Sequence, residues 1–197
     1  MKPGTRVLRA VVALGLAGAT TLCARAADPE ALRKKLEACA ICHGADGNSP
    51  LPEVPSLAGQ PKQFITTQLV MFREGRRLNP PMAALTAEMS NAEINELGGH
   101  FAGLTMRPTA AAQSDEQQKA GRARAEQLNC VQCHGPALKG QQHIPRLAGQ
   151  QAAYLRIQLL GFKEQTRFDM DGNMTSAAQA LTPQDIELLA AYLAALP

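Results

Sequence analysis

Cys39, Cys42 and His43 crowd into "CAICHG", and Cys130, Cys133 and His134 repeat the pattern in "CVQCHG". Cys-x-x-Cys serves several chemistries. A thioredoxin-like redox pair needs a βαβ context that this sequence lacks, and it leaves the adjacent His without a role. Two pairs sharing a zinc ion usually stand roughly 15 to 20 residues apart, whereas these belong to separate halves of the chain. A disulfide across two intervening residues closes a small, strained ring that adds little chain-entropy stabilisation, and it does not call for His twice. Covalent haem attachment uses every residue: two thiols one helical turn apart each add to a vinyl group on one porphyrin edge. The neighbouring His is then carried beneath the ring to ligate iron.

An iron that carries electrons without binding small molecules needs a sixth ligand. The duplication selects it: Met174 lies 92 positions after Met82, in "DGNMTSAAQALT" and "NPPMAALT". Met89 aligns with Leu181 and Met170 with Leu78, so both unmatched methionines read as core packing. The imidazole also needs its second nitrogen held. The doubled "P-x-LAGQ" block offers the carbonyls of Pro55 and Pro145, although both prolines serve equally well as turn-formers. His100, beside Phe101, stands where the second half has Tyr192, and reads as a packed or solvated helix residue rather than a third ligand. His143, in "KGQQHIP", has no repeat partner and receives no role. Arg73, Arg76 and Arg77 correspond loosely to Lys163 and Arg167; they pair with haem propionates or form a solvated helix end.

These residues need elements to position them. Cys39 to Cys130 is an offset of 91, Pro55 to Pro145 one of 90, "FITTQLVMF" to "YLRIQLLGF" one of 90, and "SNAEINEL" to "TPQDIELL" one of 92. One unit has been duplicated. Each unit reads as all-α, with no sustained alternation of apolar and polar residues. Ile186, Leu189, Ala190 and Leu193 make a helical stripe behind a Thr182-Pro183 start with Asp185 in a capping-box position. Ile94, Leu97, Gly98 and Phe101 follow Ser90 and Glu93 in the same design. Further helices are predicted over Gln63–Glu74 and Gln151–Glu164. "GLTMRPTAAAQSDEQQ" has linker composition, giving expected boundaries of 27–106 and 119–197 for the domains and 107–118 for the linker. Units this small, with 4% aromatics and no Trp, bury little surface. A large apolar cofactor supplies the missing core.

The first 26 residues carry Lys2, Arg6 and Arg9, an apolar run to Leu22, and a small-x-small site at Ala24–Ala26, and so read as a cleaved secretory signal. The run is too short for a membrane anchor, which needs about 20 apolar residues, and Cys23 departs with the signal. Its loss leaves 16 of the 20 Lys and Arg against 17 Asp and Glu. A nucleic-acid partner therefore lacks its electrostatic motive, and so does strong steering toward one highly charged protein.

The doubled CxxCH, the doubled P-x-LAGQ, the QLxxF helix and the "LTPQDIELLAAYL" terminus resemble the cytochrome c4 family of dihaem c-type cytochromes, over nearly all of residues 28–197. The resemblance implies two tandem class I cytochrome c domains packed across an approximate two-fold axis, with two covalently bound haem c groups. It implies thioether links at Cys39, Cys42, Cys130 and Cys133, and iron ligands His43, Met82, His134 and Met174, with the Pro55 and Pro145 carbonyls orienting the histidines. It also implies a periplasmic electron carrier, working between a membrane reductase and a terminal oxidase and compatible with peripheral membrane association. A dihaem peroxidase or sulfur-compound dehydrogenase, or a docking subunit of a respiratory complex, is the alternative. The symmetric methionines and the scarcity of spare His disfavour an enzyme.

Overall fold

The computed structural model describes Met1, residues 28–109 and residues 113–197. The predicted signal, its cleavage at Ala26 and Cys23 lie outside them. Among the described residues there is no strand, only an isolated antiparallel bridge between Gln141 and Ile144.

The first half runs α1 (Pro29–His43), α2 (Lys62–Arg73), α3 (Pro80–Thr86) and α4 (Asn91–Ala102). The second runs α5 (Asp115–Gln127), α6 (Cys130–His134), α7 (Ala152–Lys163), α8 (Asn173–Ala178) and α9 (Pro183–Ala195). The two series correspond, with α5 and α6 together standing for α1. Asn129 breaks that pair by entering the left-handed region at φ 57°, a conformation that Asn tolerates better than most residues.

Local chemistry fixes the ends. Ser90 and Thr182 each accept a bond from the backbone of the third helical residue, whose own carboxylate, on Glu93 or Asp185, reaches back to the cap. Both predicted capping boxes are present, and α2 and α7 lie within one residue of their expected bounds. Helix α5 begins at Asp115 behind a third box, Ser114 with Gln117, inside the stretch whose composition reads as linker. The segment before it is packed: Met106 is buried, and the Thr109 hydroxyl donates to the Gln150 carbonyl at 3.1 Å.

Each half has its own core. Ile65, Leu69, Met89, Ile94, Leu97 and Phe101 form the first, with Cys39 and Met82 packed against it. The second is built around Leu155, Phe162, Ile186, Leu189, Tyr192 and Leu193, with Cys130 and Met174 against it. Small residues set the helix crossings. A Cβ on Gly98 would stand 2.6 Å from Thr66 Cγ2 of α2, and one on Gly121 would stand 2.4 Å from Tyr192 Cβ. Met89 is buried as expected, but Met170 is a correction. It is 68% exposed, and its counterpart Leu78 is 86% exposed. Both precede α3 or α8 in loops that leave the core, so the repeat position is apolar without being interior.

The halves meet face to face through polar groups. Gln60 bonds the backbone of Arg146, and Gln150 bonds the backbone of Ser56. Gln151 Nε2 donates to the Ser49 carbonyl at 2.6 Å, and the Tyr154 N–H donates to the Pro52 carbonyl at 3.1 Å. Since 56 and 146 are equivalent positions, as are 60 and 150, the contact is isologous.

Candidate cofactor sites

Cys39 and Cys42 lie near the C-terminal end of α1, and Cys130 and Cys133 lie in the five-residue α6. Spacing of three on a helix puts each pair on one face. All four thiols are unpaired; Cys42 and Cys133 are exposed, while Cys39 and Cys130 are partly buried. Burial pushes the Cys39 and Cys130 thiols up. Glycine ends both segments, Gly44 and Gly135 each at φ 82°. At Gly44 a side chain is excluded outright, because a Cβ would meet Asn48 O at 2.2 Å. The chain thus turns sharply straight after each histidine.

His43 and His134 are buried, at 7% and 8% exposure. His43 Nδ1 lies 2.8 Å from the Pro55 carbonyl oxygen, and His134 Nδ1 lies 2.8 Å from that of Pro145. A carbonyl can only accept, so Nδ1 carries the proton and the Nε2 lone pair is left free. Burial, outweighing the bond to the carbonyl, pushes both imidazoles below the ordinary His range, which keeps them in the neutral, ligating form. Of the two readings of Pro55 and Pro145, the carbonyl acceptors are the ones the geometry displays.

Met82 and Met174 occupy the first turns of α3 and α8. The Met82 N–H donates to Asn79 Oδ1 at 3.0 Å, and the Met174 N–H donates to Asp169 Oδ2 at 2.8 Å. Asn79 is the N-cap of α3, whereas α8 follows Gly172 with no side-chain cap and Asp169 reaches Met174 from the preceding loop. Each half therefore holds a thiol pair, a neutral imidazole with a free Nε2 and a methionine whose backbone is held by an Asx side chain, with Cys39 and Met82, or Cys130 and Met174, packed against its core. Among the described residues no group of three or more His, Cys, Asp or Glu converges as a metal-binding cluster. His100 is exposed, edge-on to Phe101 with ring centroids 5.2 Å apart. His143 stands 3.5 Å from Asp171 Oδ2.

A second constellation lies between the halves. Arg77 donates to Gln68 Oε1 at 2.6 Å, to the Tyr154 hydroxyl at 3.0 Å and to Gln158 Oε1 at 3.1 Å. Its counterpart Arg167 donates to Gln158, and the two guanidiniums lie over the rings of Phe72 and Phe162. Desolvation, with Arg77 nearby, draws Arg167 down to about 10. The buried Nε of Arg167 has no hydrogen-bond partner. Two like charges and an orphaned donor suit an anionic group such as a propionate. The donor sets and this cationic junction thus fit a haem in each half. Arg73 instead bonds the Met89 carbonyl at 2.7 Å, and Arg76 is exposed. Sequence reasoning paired the two arginine regions only loosely, and it missed both Tyr154 as their bridge and the role of Gln60 and Gln150. The signal for the glutamines was their repetition at the end of both P-x-LAGQ blocks.

Residues 118–197 match the family model described as cytochrome c, and residues 24–100 match that described as cytochrome C oxidase, cbb3-type, subunit III. A cytochrome c4 of Pseudomonas aeruginosa is 33% identical over 189 residues, covering 91% of this chain and 94% of that protein. The chain belongs to the cytochrome c4 family. As in that family, it carries two covalently bound haem c groups on tandem all-α domains and works in electron transport. The reduced recombinant cytochrome c4 from Pseudomonas stutzeri superposes with a TM-score of 0.76 at 30% identity, over 87% of this chain and all of that one. A thiosulfate dehydrogenase electron acceptor of Thiomonas intermedia is also 33% identical, covering 96% of this chain and 92% of that protein.

Proposed function

We propose that this cytochrome c4 is a periplasmic electron carrier with no catalysis of its own, its two irons saturated by His43 with Met82 and by His134 with Met174. Cys39 and Cys42 tether one haem by thioethers, and Cys130 and Cys133 tether the other. Bound haem supplies a one-electron ferric/ferrous couple. The protein's residues do the rest. Pro55 and Pro145 hold the imidazoles in one orientation and one tautomer. Asn79 and Asp169 hold the backbones of the methionines. A neutral thioether favours ferrous iron over more basic ligand sets and so raises the potential. Held by one histidine and one methionine each, the irons would offer no substrate a coordination site.

The observation that carries this reading is the likeness of the two halves at the ligand level: the same 2.8 Å histidine-to-carbonyl bond in each, and in each a methionine whose backbone N–H is held by an Asx side chain. An enzyme needs one centre to differ. Export follows from the leader motif in the sequence. Among the described residues no helix is long and apolar enough to cross a membrane. Delivery toward a terminal oxidase is the role proposed for this carrier. A second reading, an acceptor for a sulfur-compound dehydrogenase, has a specific support in the resemblance to the Thiomonas intermedia acceptor. Rapid mixing of the oxidised protein with a thiosulfate-oxidising enzyme and thiosulfate, and of the reduced protein with a membrane oxidase, separates the two. Fast oxidation by the oxidase with no reduction in the first assay supports the primary reading; the converse supports the second.

A further inference from the structure

The Pro55 carbonyl that holds His43 belongs to the same peptide group as the Ser56 N–H. That N–H donates to Gln150 Oε1 of the other domain at 2.8 Å, while Gln150 Nε2 donates to the Ser56 carbonyl at 2.8 Å. The mirror arrangement is complete: the Pro145 carbonyl holds His134, the Arg146 N–H donates to Gln60 Oε1 at 3.0 Å, and Gln60 Nε2 donates to the Arg146 carbonyl at 2.9 Å. Both amides are sealed from water, Gln60 at 3% exposure and Gln150 at 2%. Burying such a group is costly unless every bond is made, and here each amide is satisfied by one peptide segment of the opposite domain.

We propose that Gln60 and Gln150 are positioning residues that tune the opposite domain's haem, each through the single peptide group that bears the histidine-holding carbonyl. The proposal rests on His43 and His134 being iron ligands. Hydrogen bonds in a chain polarise one another. A peptide whose N–H donates to a glutamine oxygen has a more negative carbonyl, which draws the imidazole proton harder. The imidazole becomes a stronger donor to iron, favouring the ferric state. Removing the glutamine oxygen weakens that chain and raises the potential, and it does so in the other domain. The relays are unequal: Gln150 Oε1 also accepts from the Gln151 N–H at 2.9 Å, whereas Pro61, after Gln60, has no N–H to offer. The pair gives the two haems a through-bond dependence on the contact between domains.

The test uses the full haem-loaded protein, with each potential followed by spectroelectrochemistry and assigned to its domain by NMR. Gln150→Met is expected to raise chiefly the potential of the haem at Cys39 and Cys42, and Gln60→Met chiefly that at Cys130 and Cys133. In the reduced protein the His43 Nδ1–H resonance moves upfield in Gln150→Met, which removes the acceptor oxygen. Gln151→Met removes an interdomain bond that lies off both relays and produces no crossed shift. In the unsubstituted protein the Ser56 and Arg146 amide protons exchange slowly; prompt exchange overturns the proposal even if a Met variant fails to fold. Potentials that move together, shifts confined to the substituted domain, or an unmoved His43 resonance also overturn it. A wild-type spectrum without low-spin His/Met haems would instead remove the ligand reading, so the two failures are distinguishable.

Discussion

At the scale of single residues, the ligand assignments make unequal demands on the sequence. Cysteine and histidine announce themselves, since CxxCH leaves little else to propose. The methionines emerge only by comparison of the two halves, and the same comparison placed Met170 in the core, where the structure does not. A repeat shows that a position is equivalent, not which way it faces. Met82→Ala is expected to open one haem, abolish its Met-to-iron charge-transfer absorption and lower its potential. Met174→Ala should do the same for the other, and an unchanged ferric spectrum in either would refute that assignment. Asp185 offers a different test. Its carboxylate accepts two bonds from the Arg124 guanidinium, at 2.6 and 2.8 Å, and these hold it far below the ordinary carboxylate range. Because the folded value lies below the unfolded one, near about 3.9, the contribution is complete above about pH 4 and is lost as pH falls through the folded value. Asp185→Asn should therefore destabilise the protein at neutral pH, with the gap from wild type closing on acidification. Urea titrations at several pH values would measure it.

At the scale of elements, most of the architecture could be read because local signals agree with it. Ser90 with Glu93 and Thr182 with Asp185 mark helix starts by chemistry that acts within four residues. Ser90→Ala should cost about 1 kcal/mol of unfolding free energy, measurable by chemical denaturation of the haem-loaded protein. Helix crossings were less legible. Gly121 looks like a weak point in α5 until Tyr192 is seen lying where its Cβ would be. Gly121→Val should strain that crossing by about 1–3 kcal/mol, whereas Gly75→Ala, with nothing within 4 Å of its Cβ, should show only the strain of its positive φ. The start of α5 was obscured by composition: Ala, Gln and Ser read as linker, yet Ser114 and Gln117 form a capping box. Residue content described that stretch poorly, and hydrogen-bond geometry described it well.

At the scale of the whole molecule, duplication predicts two like domains, but it carries no information about how they face each other. The interface is rich in hydrogen bonds. Glutamine amides, the Arg77 and Tyr154 contact and backbone bonds make it, and such partners leave no hydrophobic pattern in sequence. Two cores of modest size, each supplemented by its covalently bound haem, would explain how units of about 80 residues remain folded, and haem loss should unfold its own domain more than its neighbour. Domain-resolved hydrogen exchange after partial haem loading would display this.

The account depends most on both irons being saturated by ligands from this chain, and carbon monoxide titration of the fully reduced protein tests that most directly. The visible spectrum should remain that of two low-spin haems, with no rapid binding of the gas. Prompt uptake of one carbon monoxide per haem, or at one haem alone, would contradict it.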